Sequence, residues 1–278
     1  MIIFPAMAGY TITPEHIRTY QVDGALCLRG VFGSTEIVAL QEAVEEELQN
    51  PGPYTKEFAD PGEARFVGAI FVSSYNRTIR EILINSALGE IAGTLMCARQ
   101  TRFFFDHLLV KEPGASKPTP WHQDAPYFAM EGLHCCGIWI ALDTVTLDTG
   151  AVEYLKGSHK DGCMYAPRSF AAGKSYSDGF QEVPDIDANR QDYEIASWNM
   201  APGDCSIHHV RTLHGAPGNE TKFRRRGLAT RWIGDDAVFR LRPGIPDDMT
   251  TAFEKMAPEL KPGDSFDHPL FPLVWESV

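Results

Sequence analysis

The spacing of apolar residues changes period near residue 100, and no other feature of the 278-residue chain restricts its fold as much. Before that point the period is helical. Ile37, Leu40, Val44 and Leu48 follow an opening Ser34-Thr35-Glu36, while Ile79, Ile82, Leu83, Leu88, Ile91 and Leu95 predict one further helix over 78–96. Thr13-Pro14-Glu15 offers an earlier helix a cap, a first-turn proline and a first-turn acid. A short strand pattern occupies 24–31. Beyond Arg99 the runs 101–110, 134–142, 151–155, 195–198, 204–209 and 223–233 are short, rich in Phe and branched residues, and separated by Gly, Pro, Asp or Asn. Helices first and many strands afterwards predict an α+β chain, mainly β, built on a sandwich or barrel.

A single domain over 1–278 suits this layout, because all-β cores often use such a length undivided. Residues 1–100 read as helical support, 101–235 as the β core and 236–278 as a proline-punctuated wrap anchored by Leu270, Phe271 and Trp275. Residues 157–192 have little periodicity and carry Gly157, Gly162, Gly173 and Gly179; a stretch that irregular predicts a lid or binding loop. The balance of 25 Lys+Arg against 37 Asp+Glu, a net charge of −12, disfavours a nucleic-acid partner and an anionic membrane surface. No run approaches the ~20 apolar residues of a membrane span. The apolar opening Met1 to Gly9 lacks a basic flank and reads as a tail rather than a secretory signal. Cys27, Cys97, Cys135, Cys136, Cys163 and Cys205 form no CxxC pair, and reduced thiols in a cytoplasmic protein are expected. Oligomeric state leaves no mark in the sequence.

Among nine histidines, two stand two residues before an aspartate, in His122-Gln123-Asp124 and His159-Lys160-Asp161. In extended chain, residues i and i+2 point the same way, so an imidazole and a carboxylate can grip one metal ion from one side. A second histidine from a distant strand completes a two-His-one-carboxylate triad, which leaves open positions on Fe(II). At ordinary Asp usage nine histidines give about half such a match by chance, so one of the two is expected to be accidental. His122 sits in the stiff entry Pro118-Thr119-Pro120-Trp121, whereas His159 lies in a turn between Gly157-Ser158 and Asp161-Gly162. The distant histidine can be His208, His209 or His214, all in the stretch from Pro202 to Ala216. His208 and His209 face opposite sides of a strand; His214 precedes Gly215 at a strand end.

Downstream, strand alternation splits Arg224-Arg225-Arg226, with the outer two on one face and Arg225 on the other. A lone inward arginine is costly unless it meets an anion, and a carboxylate fits its two-pronged donor geometry.

Trp121-His122-Gln123-Asp124, Gly137-Ile138-Trp139-Ile140-Ala141-Leu142-Asp143, Gly157-Ser158-His159, Gly203-Asp204, His214-Gly215-Ala216-Pro217-Gly218-Asn219 and Arg225 fall in an order and spacing that resembles the phytanoyl-CoA dioxygenase family, as does the Asp23-Gly24 strand. The resemblance covers roughly residues 15 to 235. It implies a double-stranded β-helix, a cupin-like jelly roll with helices backing one sheet, and oxidation that depends on Fe(II), 2-oxoglutarate and O₂. Carried onto this chain it makes His122, Asp124 and His214 the iron ligands, with Arg225 on the distal carboxylate of 2-oxoglutarate. The Gly-Ser-His block of His159 becomes a turn. Trp139 falls beside the co-substrate, and His107 lies on a strand that contacts it. Where relatives commonly place Ser or Thr two residues after the distal histidine this chain has Ala216, which removes one hydroxyl contact. Asp124 fills the position that halogenating relatives leave vacant for chloride, which favours hydroxylation, or a related desaturation or ring-forming oxidation.

The implied reaction oxidises an unactivated C–H bond of a small organic metabolite, expected to be apolar or aromatic, and releases succinate and CO₂. The aromatic run Ala125 to Met130 is a candidate specificity element. Two other readings compete. A cupin-like metalloenzyme working without 2-oxoglutarate has no need of Arg225, and a non-catalytic jelly-roll binding protein has no need of a metal.

Overall fold

Thr13 caps the first helix, α1 (Pro14–Asp23), accepting from the His16 N–H while the His16 ring reaches back to the Thr13 N–H. There follow β1 (Ala25–Leu28), α2 (Ser34–Gln49), β2 (Thr55–Glu57), β3 (Phe66–Ile70), α3 (Arg77–Ile84) and α4 (Leu88–Met96). The β region runs through β4 (Gln100–Lys111), β5 (Thr119–His122), β6 (Met130–Glu131), β7 (Cys135–Ala141), β8 (Glu153–Leu155), β9 (Ile195–Ala196), β10 (Cys205–His209), β11 (His214–Ala216), β12 (Arg225–Ile233) and β13 (Val238–Phe239). It closes with α5 (Asp247–Met256) and β14 (Leu273–Glu276). This computed structural model describes residues 9–167, 180–242, 245 and 247–277. The opening tail 1–8, the stretch 168–179 with Gly173 and Gly179, and Pro243 and Pro246 lie outside the described residues.

The larger antiparallel sheet runs β1-β10-β7-β12-β4-β3-β2, with β14 also pairing to β4; the smaller runs β5-β11-β8-β9. Strand alternation divides the larger sheet into two faces. Leu108, Val110, Ile138, Ile140, Ile207, Leu228 and Trp232 pack against Tyr20, Leu40, Val44, Ile79, Ile82, Ile91 and Leu95 of the helices. Leu40 is fully buried there, and truncating such a leucine to alanine typically costs about 2–5 kcal/mol. The intervening positions, Trp139, Ala141 and Ala229 among them, face the smaller sheet. Tyr154 of β8 crosses between the sheets, its hydroxyl 2.7 Å from that of Ser206 on β10. This is the jelly roll with helices on one sheet that the resemblance implies.

Three local expectations need correction. The single helix predicted over 78–96 is two, α3 and α4. The Asn85 N–H caps α3 on Glu81 O and Leu83 O. The Ser86 hydroxyl donates to Leu83 O and accepts from the Leu88 N–H, a side-chain alternative to helix continuation. The apolar period survives the break because both helices rest on one sheet. Second, the hairpin of β2 and β3 lies inside the segment expected to be helical support, and it extends the large sheet past β4. Third, the C-terminal stretch forms elements of its own. Strand β14 pairs with β4, and Trp275 covers Gly93 of α4 so closely that a Cβ there would meet its ring at 2.3 Å. Phe271 is fully buried with Phe71, Phe104, Phe253 and Phe266, whereas Leu270 is only partly buried. All six cysteines are free. Among the described residues no helix is long and apolar enough to cross a membrane.

Candidate metal centre

Strands β5 and β11 lie side by side, with His122 directly opposite His214. Trp121 points to the outer face of the smaller sheet, into a cluster with Leu155, Tyr165, Val183, Ile186 and Leu213, so His122 points inward. Nδ1 of His122 is 2.8 Å from Pro120 O, and Nδ1 of His214 is 2.9 Å from Thr212 O. A carbonyl only accepts, so each ring carries its proton on Nδ1 and turns an unprotonated Nε2 inward. The ring centroids are 4.2 Å apart.

Asp124 joins them by a route that the extended-chain argument does not describe. Strand β5 ends at His122, and Asp124 has helical backbone angles (φ −73°, ψ −37°). Gln123 faces away: its amide donates to Cys163 O at 3.2 Å and Arg211 O at 2.9 Å, and its oxygen accepts from the Tyr165 N–H at 3.1 Å. The N–H groups of Asp124 and Ala125 both donate to Val210 O. The chain is thereby bent so that Asp124 Oδ1 stands 3.9 Å from Nε2 of His122 and 3.9 Å from Nε2 of His214.

One donor atom from each of His122, Asp124 and His214 lies within 4.8 Å of the others. Two imidazole lone pairs and a carboxylate oxygen converge, which is the donor set of a divalent transition metal with open positions. The charge states agree. Burial lowers the pKa of His122 and holds that of His214 well below the ordinary histidine range, so both rings stay neutral. Burial alone would raise the Asp124 carboxyl, but Arg231 and the His208 hydrogen bond, with His214, bring it well below its usual value.

The triad borders a cavity of about 400 Å³, within the usual range for small-molecule sites. Trp139, Arg225, His107 and Ala216 all line it. Arg225 is 2% exposed, donates to Gly150 O at 2.7 Å, and has its pKa lowered to about 10 by burial. Its guanidinium carbon lies 5.3 Å from the centre of the Trp139 ring. Among the described residues, Arg225 Nε and Trp139 Nε1 are buried donors without an acceptor. An orphaned pair of donors beside a cation fits a carboxylate. Arg224 and Arg226, on the opposite face, pair with Glu45, Glu112 and Asp143.

His159 stands apart from this group. It lies on a 3-10 turn, with Nε2 3.1 Å from Gln21 O. Within 157–192 the described residues pack on the outer face of the smaller sheet through Tyr165, Val183 and Ile186, and none of them lines the cavity. The lid expected there has its middle, 168–179, outside the described residues. Tyr127 and Phe128 of the aromatic run do line the cavity, while Ala129 and Met130 are buried in the neighbouring aromatic core.

Sequence reasoning missed Arg231, whose Nε is 2.9 Å from Asp124 Oδ2. The clue was its position six residues after Arg225, hence on the same strand face. It also missed Tyr54, Lys56 and Phe58 at β2 and Met249 of α5 as cavity walls. These come from distant segments that no local period links to the metal site.

Comparison with known proteins agrees with the geometry. The profile of the phytanoyl-CoA dioxygenase family matches residues 20–227. A probable alpha-ketoglutarate-dependent hypophosphite dioxygenase of Stutzerimonas stutzeri is 30% identical over 126 residues, which cover 45% of this chain and 43% of that protein. The match therefore spans less than half the length of that curated relative. The non-heme alpha-ketoglutarate-dependent carbocyclase SnoK from nogalamycin biosynthesis superposes with a TM-score of 0.77 at 25% identity, over 97% of this chain and 100% of that one. The epimerase SnoN, solved with Fe³⁺, alpha-ketoglutarate and nogalamycin RO, gives 0.73 at 20% identity, over 93% and 97%.

Proposed function

The chain belongs to the phytanoyl-CoA dioxygenase family, and from that premise we propose that it is an Fe(II)- and 2-oxoglutarate-dependent oxygenase acting on a C–H bond of a small organic metabolite. The observation that carries the reading is a juxtaposition. His122, Asp124 and His214 converge at one side of the cavity, and the acceptorless donors of Arg225 and Trp139 stand at another. A cupin-like metalloenzyme without 2-oxoglutarate needs the first group only; a binding protein needs neither.

In this reading His122, Asp124 and His214 would hold the iron. Iron with 2-oxoglutarate and O₂ supplies an oxidant strong enough for an unactivated C–H bond, with succinate and CO₂ as the co-products. Arg225 binds the distal carboxylate, and Trp139 Nε1 contributes the donor that a hydroxyl at position 216 would otherwise give. His107 borders the same cavity from β4.

The substrate lies among Tyr54, Phe58, Ile70, Phe105, Tyr127, Phe128 and Met249, and this aromatic and thioether lining suits an apolar or aromatic body. The likeness to a carbocyclase of nogalamycin biosynthesis supports a secondary metabolite, and it keeps ring-forming oxidation beside hydroxylation. To test the reading, apoprotein is supplied anaerobically with Fe(II) and 2-oxoglutarate. A visible charge-transfer absorption is expected, then succinate on admission of O₂. Iron binding without succinate would favour the cupin-like alternative, and no iron binding would favour the binding protein.

A further inference from the structure

We infer that His208 is a positioning residue for the metal-binding carboxylate. Its ring donates to Oδ2 of Asp124, and Oδ1 is then the oxygen that stands nearest Nε2 of His122 and His214. The inference rests on the oxygenase reading above and names the part of the site that reading leaves unexplained.

Alternation along β10 sends Ser206 and His208 to the cavity side and Ile207 to the helices. His208 is 2% exposed. Its strand neighbours are Ala25 on β1 and Gly137 on β7, and the glycine is required. A Cβ at Gly137 would lie 2.3 Å from Cε1 of the His208 ring. The ring sits 4.3 Å from that of His214 and 5.4 Å from that of Tyr154, centroid to centroid. Tyr154 is itself tied to Ser206 on the same strand. His208 is thus held on several sides before it meets Asp124.

The meeting is 2.9 Å, from Nε2 to Asp124 Oδ2. Because the carboxylate accepts, Nε2 carries the proton. Nδ1 is then a buried lone pair with no partner among the described residues. The protein leaves one ring nitrogen unsatisfied in order to aim the other at Asp124, which is unusual for a histidine that serves packing alone. Arg231 adds charge without choosing between the oxygens: its Nε is 2.9 Å from Oδ2 but not in hydrogen-bond geometry, and its Nη2 donates to Oδ1 at 3.2 Å. His208 is therefore the group that hydrogen-bonds Oδ2. Oδ1 stands equally far from the two ligand imidazoles. A carboxylate free to swing could chelate through both oxygens and take a position that the co-substrate or O₂ needs; one held in this way donates a single oxygen.

Two variants separate this role from packing. His208→Phe keeps a buried ring of similar shape and removes the donor. His208→Gln returns an amide N–H able to reach Oδ2. Apoproteins are titrated anaerobically with Fe(II), and the Co(II)-loaded forms are compared by their visible absorption, which reports coordination directly. Loss of the hydrogen bond behind a metal ligand costs about 10–100-fold in affinity or activity. His208→Phe should lose Fe(II) affinity in that range and change the Co(II) spectrum, and His208→Gln should restore both. Wild-type affinity and spectrum in His208→Phe would overturn the inference, as would a folded His208→Gln that behaves like the Phe variant. Complete loss of metal in His208→Phe would overturn it too, because His208 would then be a ligand rather than the group behind one. In each of these cases the wild type still binds iron and forms succinate. A wild type that does neither would overturn the functional reading itself.

Discussion

The two His-x-Asp segments of this chain share a pattern and almost nothing else. In the first, His122 and Asp124 are enclosed between two sheets, and the backbone carbonyls of Pro120 and Thr212 orient the facing imidazoles. In the second, His159 lies on a turn opened by Gly157 in the left-handed region, with its Nε2 spent on Gln21 O. Asp161 accepts from the Cys163 N–H at 2.7 Å and the Tyr165 hydroxyl at 2.8 Å, and so pins the loop. A metal site needs several donor atoms that converge on one point. His122 and Asp124 do so with His214; at the second segment Asp161 is engaged by the Cys163 N–H and the Tyr165 hydroxyl, and among the described residues no such group of donors forms around His159.

Breaking the comparison at its strongest point, His122→Ala should abolish Fe(II) binding and turnover, while His159→Ala retains both. Isothermal titration with Fe(II) and a succinate assay decide it; an ironless His159→Ala protein beside an iron-binding His122→Ala protein would reverse the assignment. Metal should also raise the thermal unfolding temperature of the wild type and of His159→Ala, but not that of His122→Ala, because a ligand stabilises only a fold that binds it.

The next effect concerns the anion site proposed beside the first region. Arg225→Ala leaves a buried carboxylate unpaired, at about 2–5 kcal/mol, or ~30-fold to several thousand-fold in 2-oxoglutarate half-saturation. Arg224→Ala and Arg226→Ala remove ion pairs on the other face and should change that constant far less, since neither side chain lines the cavity. A near-normal half-saturation in Arg225→Ala would mean that the co-substrate has been misassigned.

Smaller still, Trp139→Phe keeps the ring and deletes Nε1–H. A hydrogen bond to a charged group is worth about 1.5–3 kcal/mol, so half-saturation should rise by about tenfold or more with little change in metal affinity. An unchanged constant would remove Trp139 from the co-substrate site.

The smallest effect belongs to the turn. Asp161→Ala should lower stability by about 1–2 kcal/mol in urea denaturation, from two hydrogen bonds worth ~0.5–1.5 kcal/mol each and partly replaced by water. Iron and 2-oxoglutarate binding should be untouched. A loss of iron affinity would tie this loop to the centre after all.

Much of this comparison was legible without coordinates. The stiff Pro118-Thr119-Pro120 entry separated His122 from His159, and alternation separated Arg225 from its neighbours, because both are properties of adjacent residues. The break at Asn85-Ser86-Ala87 was hidden, since two helices on one sheet preserve one apolar period. The distant histidine stayed open among His208, His209 and His214 on spacing alone; the family resemblance chose His214, and the tautomer contacts show how that ring is aimed.

By itself, then, the sequence determined which side chains face inward along each strand, since alternation is a local consequence of backbone geometry. Residues 101–233 were readable as a β core, and Arg225, Trp139 and His107 as inward candidates, on that ground together with the resemblance; the inward turn of Asp124 came from a bend beyond the strand end. What only the tertiary structure decided is which inward side chains meet. The pairing of β5 with β11 brings His122 opposite His214, and the packing of the smaller sheet over the larger brings Asp124 to His208 and Arg231. The β2 strand and α5, remote in sequence, close the cavity around them. Register and sheet packing are cooperative, long-range choices, made by burying both faces of the larger sheet at once, and no window of adjacent residues contains them.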